Sequence, residues 1–175
     1  GNTTVTGGGK TYLDSSITSL TSGSTYYIST LEQLNNLATL VNSGADTSGV
    51  NFVLDNDIDV SSFTNPISDF KGTFYGNGHS LTGLKMALFG TVGGNAIVRD
   101  LALENMSSQG LLASVVSDNS TVDNVYSTGR TKLHAGLIGT LEGNATLKNS
   151  YSTANVTTLF NIAGGLVGSM SDNAT

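Results

Sequence analysis

Leu88-Phe89-Gly90-Thr91-Val92-Gly93-Gly94-Asn95-Ala96-Ile97-Val98-Arg99-Asp100 returns as Leu137-Ile138-Gly139-Thr140-Leu141-Glu142-Gly143-Asn144-Ala145-Thr146-Leu147-Lys148-Asn149. Leu166-Val167-Gly168-Ser169-Met170-Ser171-Asp172-Asn173-Ala174-Thr175 begins the unit again. A degenerate copy, Leu111-Leu112-Ala113 through Asp123-Asn124, lies between the first two and lacks the glycine. The shared asparagines Asn95, Asn119, Asn144 and Asn173 are 24, 25 and 29 residues apart. Val125-Tyr126-Ser127-Thr128 likewise matches Ser150-Tyr151-Ser152-Thr153.

A period in the twenties marks a solenoid. Each unit holds short apolar runs separated by Gly/Asn turns and no segment of helical length, which excludes helical solenoids. The L-x-x-L-x-L frame of leucine-rich repeats is missing. A stacked β-coil remains, with equivalent positions about 4.8 Å apart along the axis. Leu137, Leu141 and Leu147 are then expected to stack on the column of Leu88, Val92 and Val98. Gly90, Gly139 and Gly168 mark a place where a side chain would clash or where φ is positive. The four asparagines suit a left-handed turn in which the amide bonds its own backbone, or a side-chain ladder. Tyr126 and Tyr151 hold equivalent positions and predict an aromatic ladder.

Upstream, one helix is expected from Leu31 to about Asn42. Leu31, Leu34, Leu37, Ala38 and Val41 follow helical spacing. Ser29 with Glu32 reads as a capping box, and Gly44 as the stop. Thr11-Tyr12-Leu13, Tyr26-Tyr27-Ile28, Val50 to Leu54 and Ile58-Asp59-Val60 read as strands. Phe70 to Leu84 alternates strand-like pieces with glycines, and Gly7-Gly8-Gly9 reads as a flexible break. The expected fold is all-β: one right-handed parallel β-helix domain over residues 1–175. It comprises leading strands (1–30), a capping α-helix (31–43), first coils (50–87) and repeats (88–175). Four or five coils after the cap give a rod of roughly 20–25 Å. The last copy stops just after its asparagine. The expectation is a fragment of a longer chain, with an open C-terminal coil available for end-to-end self-association.

Composition narrows function. Only 11% of the 175 residues are charged, against roughly 25% in an ordinary soluble domain, so solubility rests on Ser, Thr and Asn. The net charge is −6 and the seven Lys and Arg residues are scattered, which argues against nucleic acid and anionic membranes as partners. There is no cysteine, hence no disulfide, thiolate metal site or cysteine nucleophile. No stretch is apolar enough to insert in a membrane, and no signal peptide opens the chain.

Gly136-Leu137-Ile138-Gly139 and Gly164-Gly165-Leu166-Val167-Gly168 resemble the GLUG motif, a repeat of large bacterial surface proteins. The upstream series resembles the segment that precedes such repeats: Leu31-Glu32-Gln33-Leu34, then Phe52 to Asp59, Phe70-Lys71-Gly72-Thr73-Phe74-Tyr75-Gly76-Asn77-Gly78-His79 and Leu88-Phe89-Gly90. The resemblance covers roughly residues 26–175 and implies a right-handed parallel β-helix, an extracellular or cell-surface address with the signal peptide removed, and a scaffold or adhesive role. It implies no single ligand.

Candidate chemistry is thin, and no catalytic, cofactor or metal residue is nominated. Asp55, Asp57 and Asp59 form a D-x-D-x-D run. A calcium loop would need glycine at the sixth position and glutamate at the twelfth, where Val60 and Pro66 stand. The run therefore reads as turn capping. His79 and His134 fall on different coils without a carboxylate nearby in sequence, and read as structural or exposed. Asp100, Glu104, Asp118, Asp123 and Glu142 are isolated and form no glycosidase pair. The N-x-S/T triplets that begin at Asn105, Asn119, Asn144, Asn155 and Asn173 read as turn chemistry rather than glycosylation sites. The expected function is a non-enzymatic adhesin-like binding or stalk domain, its partner a surface protein or glycan of a host or neighbouring cell. The alternatives are a carbohydrate-binding or carbohydrate-active domain, and an accessory region of a larger secreted peptidase whose H-E-x-x-H lies outside this chain.

Overall fold

The computed structural model describes residues 5–6, 9–133, 135–157 and 165–175. Gly7, Gly8, His134 and Gly164, named above, lie outside the described residues. A short antiparallel pair opens the chain, β1 (Val5–Thr6) and β2 (Lys10–Thr11). A capping turn follows, made of β3 (Thr25–Ile28) and α1 (Leu31–Asn42). Rung one is β4 (Asn51–Leu54), β5 (Ile58–Asp59) and β6 (Ile67–Phe70). Rung two is β7 (Thr73–Tyr75), β8 (Ser80–Thr82) and β9 (Ala87–Val92). Rung three is β10 (Ile97–Met106) with β11 (Leu111–Val116), and rung four is β12 (Thr121–Thr131) with β13 (Ile138–Leu141). Rung five holds β14 (Thr146–Lys148), β15 (Tyr151–Ser152), β16 (Asn155–Val156) and β17 (Val167–Met170).

Every pairing between rungs is parallel, so the chain is a parallel β-helix with one helix at its N-terminal end. Side one stacks β3, β4, β7, the start of β10, the start of β12, and β14. Side two stacks β5, β8, the later parts of β10 and β12, and β15. Side three stacks β6, β9, β11, β13 and β17. The repeat columns fall as the sequence predicts. Val98 pairs with Val122 and Val122 with Leu147; Val92 pairs with Val116 and Val116 with Leu141. Leu88 and Leu137 are fully buried on side three. The N-terminal half of the core is aromatic: the Phe70 ring lies 5.8 Å from Phe52, 6.2 Å from Phe74 and 4.9 Å from Phe89. Branched aliphatics replace it towards the other end.

Four local expectations shift by one residue or change cause. The helix cap is Thr30, whose hydroxyl accepts the Gln33 N–H, while the Gln33 side chain accepts the Ser29 N–H. The capping pair is therefore Thr30 with Gln33, not Ser29 with Glu32, because the helix starts at Leu31 and Thr30, with extended backbone, is the residue before it. Register places Ser114 of the degenerate copy in line with Gly90 and Gly139, so Ala113 is not the lost glycine. Those glycines avoid a clash rather than adopt positive φ: a Cβ would lie 2.7 Å from the Ser68 carbonyl at Gly90 and 2.6 Å from the Ser114 carbonyl at Gly139. The left-handed turn residues are Gly94, Asp118, Gly143 and Asp172, each one before the shared asparagine. The asparagines themselves build the ladder, Asn173 donating to Asn144 at 3.1 Å and Asn144 to Asn119 at 3.3 Å.

The helix closes the edge of side three. Leu34, Leu37, Ala38 and Val41 bury its apolar stripe against the first rung. At its end Asn42 acts as a missing strand: its Oδ1 accepts the Ser68 N–H and its Nδ2 donates to the Pro66 carbonyl, both at 2.9 Å. Thr47 accepts the Lys71 N–H in the same way. At the far end Leu141, Leu147, Leu166, Val167 and Met170 line an open cavity of about 460 Å³.

Candidate functional site

The outer faces of the three sides differ in chemistry. From Gly90 to Thr140, side three presents Gly90, Thr91, Ser114, Val115, Gly139 and Thr140, with no side chain larger than valine. Side one carries a column of larger groups, one per rung: Tyr27, Val53, Tyr75, Arg99, Asp123 and Lys148. Tyr12 extends it at the N-terminal end by bridging to Tyr27. Side two carries Tyr126 and Tyr151 in register. Of the six tyrosines only Tyr26 points into the core. The other five all lie on the two sides that share one corner.

These rings are already engaged. Lys10 Nζ sits 5.1 Å from the Tyr27 ring centre, and the Arg99 guanidinium 4.3 Å from that of Tyr75. Each contact is a cation held against an aromatic face. Tyr126 and Tyr151 stack at 5.0 Å with an interplanar angle of 3°, the ladder their spacing predicts. The Tyr126 hydroxyl donates to Glu104 at 2.9 Å. That bond holds the phenol proton and raises the Tyr126 pKa, with burial second.

The aspartate run is split among three partners. Asp55 accepts from the Tyr12 hydroxyl at 2.5 Å and from Lys10 at 3.1 Å. Those two bonds hold its carboxyl below the usual aspartate value. Asp57 accepts the Ser80 N–H at 2.9 Å and faces His79 Nδ1 at 3.0 Å, with its pKa lowered by the same two contacts in that order. Asp59 caps its own turn through the Ser61 N–H, which lowers its pKa. The three do not converge, and among the described residues no three His, Cys, Asp or Glu groups are placed to share a metal. Chemically the run pins the leading segment and successive rungs together.

Reading along the sequence left His79 without a carboxylate; the fold supplies one from the rung before, 22 residues upstream. Arg99 meets Tyr75 by the same step of one period. The signal for both was the repeat length itself. Asp100 accepts from Asn124 at 2.8 Å and Asp123 from Asn149 at 2.9 Å, so these acids serve the corner between sides one and two. Of the N-x-S/T asparagines, Asn119, Asn144 and Asn173 belong to the turn ladder, while Asn105 and Asn155 are exposed.

No helix among the described residues is long and apolar enough to cross a membrane. Comparison with protein-family models, with curated proteins and with solved structures returns no match.

Proposed function

We propose that this chain is a non-enzymatic, extracellular β-helical module of the adhesin-like kind, and that it meets its partner on a host or neighbouring cell through sides one and two. The observation that carries the reading is the placement of the tyrosines. Five aromatic rings, with Lys10 and Arg99 laid on two of them, gather on adjacent faces, while side three from Gly90 to Thr140 is left with small side chains. Tyrosine and arginine are the residue types that dominate binding energy at recognition surfaces. The acids on these faces are committed to neighbours in the rod, which favours recognition over acid–base chemistry. The sequence resemblance to GLUG repeats supports the extracellular address.

The test is adhesion. The chain displayed on beads is offered to cell surfaces and to immobilised surface proteins and glycans. Tyr75→Ala and Arg99→Ala are expected to reduce capture, and Thr91→Ala on side three to leave it unchanged. Capture that is absent for the parent chain, or equal for all three variants, overturns the binding role and leaves a spacer.

A further inference from the structure

We infer that the partner on side one is a neutral, linear polysaccharide laid lengthwise along the rod; this rests on the binding role proposed above. Two features of the face select that class. The first is its shape. The column from Tyr27 to Lys148 spans five rung steps, about 24 Å at about 4.8 Å each, and a three-residue strand such as Thr73–Tyr75 gives a width of only about 10 Å. That footprint of roughly 240 Å² compares with about 800 Å² per partner in a stable protein–protein interface. It is too narrow for a globular partner, and it suits a single extended polymer that meets one outward group per rung.

The second feature is charge. The cations on this face are balanced by acids. Lys10 lies 3.1 Å from Asp55 and Arg99 lies 3.3 Å from Asp100, while Lys148 forms no ion pair among the described residues but stands in register with Asp123. The three cations are matched by three carboxylates, which leaves the face no net positive charge to hold a carboxylated or sulfated chain, and the whole protein is acidic at −6. What the face offers outward is phenol hydroxyls, guanidinium N–H groups and a row of Thr25, Asn51, Thr73, Ile97, Thr121 and Thr146 beside them, polar except at Ile97. These are donors and acceptors matched to sugar hydroxyls. The faces of Tyr27 and Tyr75 carry cations, so the sugar is held by ring edges and hydrogen bonds more than by stacking.

The probes are cello-, xylo- and manno-oligosaccharides of graded length, with polygalacturonate as the acidic arm, titrated calorimetrically into the full chain. One neutral series is expected to bind, with affinity climbing until the oligomer spans about 24 Å and then levelling. Added salt should leave the affinity unchanged, because no net ion pairing is involved. Tyr75→Ala and Arg99→Ala should each weaken binding by about tenfold or more, as truncation of an anchor does. Thr91→Ala should not, and circular dichroism of each variant checks that the rod has formed. Preference for polygalacturonate with steep salt dependence, affinity independent of length, or no binding by any probe overturns the inference. Adhesion that is lost in Tyr75→Ala while every polysaccharide fails to bind would overturn the sugar assignment alone and leave the binding role standing.

Discussion

Replacing Gly76 by alanine tests whether rung contact, rather than backbone freedom, fixes the glycines of this fold. Gly76 directly follows the side-one strand of rung two, and its φ is not positive. A Cβ there would lie 2.2 Å from the Asp100 carbonyl oxygen and 2.7 Å from the Leu101 Cα, both backbone atoms of rung three. Ordinary contact begins at about 3.4 Å, so the carbonyl must retreat by roughly 1.2 Å, the difference from 2.2 Å. Two rung-to-rung bonds stand at this point, Gly76 N–H to Arg99 O at 2.8 Å and Gly78 N–H to Asp100 O at 3.0 Å. A shift of that size breaks both. Overpacking costs about 1–3 kcal/mol and each lost bond about 1 kcal/mol net, which points to a loss of about 3–5 kcal/mol. For a domain of this length that is a fall of roughly 6–20 °C in Tm. Gly78→Ala is the control. Gly78 has φ +76° and nothing within 4 Å of its added Cβ, so only the left-handed penalty of about 1–2 kcal/mol applies. Urea unfolding followed by circular dichroism measures both, and amide exchange at Gly76 and Gly78 reports the local opening. A Gly76→Ala variant that loses no more than Gly78→Ala would refute the steric reading of the rung contact.

Ser120 is fully buried with an Oγ that has no hydrogen-bond partner among the described residues. Ser120→Ala should therefore hold or raise stability, by up to about 1 kcal/mol, whereas Ser127→Ala should cost about 1–2 kcal/mol, because Ser127 Oγ donates to the Gly136 carbonyl at 2.7 Å; urea melts of the pair decide. Asn42→Ala removes the amide that closes the β6 edge, and should cost about 1–2 kcal/mol and speed hydrogen exchange at Ser68. Asp55 has a folded pKa below its ordinary 3.8, so its contribution to stability is complete above that value and is lost as pH falls through the lower folded one. Asp55→Asn should lower stability at neutral pH and flatten the acid limb of the melting profile, seen in melts taken down through that range. Glu104→Gln removes the carboxylate that raises the Tyr126 pKa, and an ultraviolet phenol titration should show one of the two late-ionising tyrosines moving down while Tyr12, held by Asp55, stays late.

What was legible in the sequence was whatever the interior repeats. Val92 and Leu141, or Val98 and Leu147, occupy like positions two rungs apart because each column of the core asks for the same class of side chain. The helix stripe was legible for a similar reason, since Leu34, Leu37, Ala38 and Val41 must all face the first rung. Errors of one residue arose where a neighbouring rung, not the local chain, decides. Asn119 N–H donates to the Gly94 carbonyl and Asn144 N–H to the Asp118 carbonyl, and this ladder puts the left-handed bend one residue earlier than the asparagine. The degenerate copy shows the same effect: Leu111-Leu112-Ala113 resembles Leu88-Phe89-Gly90 in sequence, but the pairing of Ala113 with Phe89 moves the match along by one. Outward contacts were the least legible. A polar residue facing solvent obeys no pattern within its own strand, and the partners of Arg99 and His79 exist only once the period has been converted into register.

That difference between inside and outside also bears on the binding face proposed for side one. Inward positions are bound to their columns. Phe52, Phe70, Phe74 and Phe89 touch one another across rungs and sides, so changing one disturbs the rest. Outward positions answer only to the rung before and the rung after. On side three from Gly90 to Thr140 they have stayed small, and Gly139 must, because the Ser114 carbonyl is 2.6 Å from where its Cβ would be. On side one Tyr75 and Arg99 stand outward in register, so large groups are laid one per rung at a spacing of about 4.8 Å that the backbone hydrogen bonds enforce. A polymer drawn along such a column meets its contacts in sequence, each placed by the same bonds that hold the rod together, and a change that loosens the rung spacing should weaken recognition and stability together.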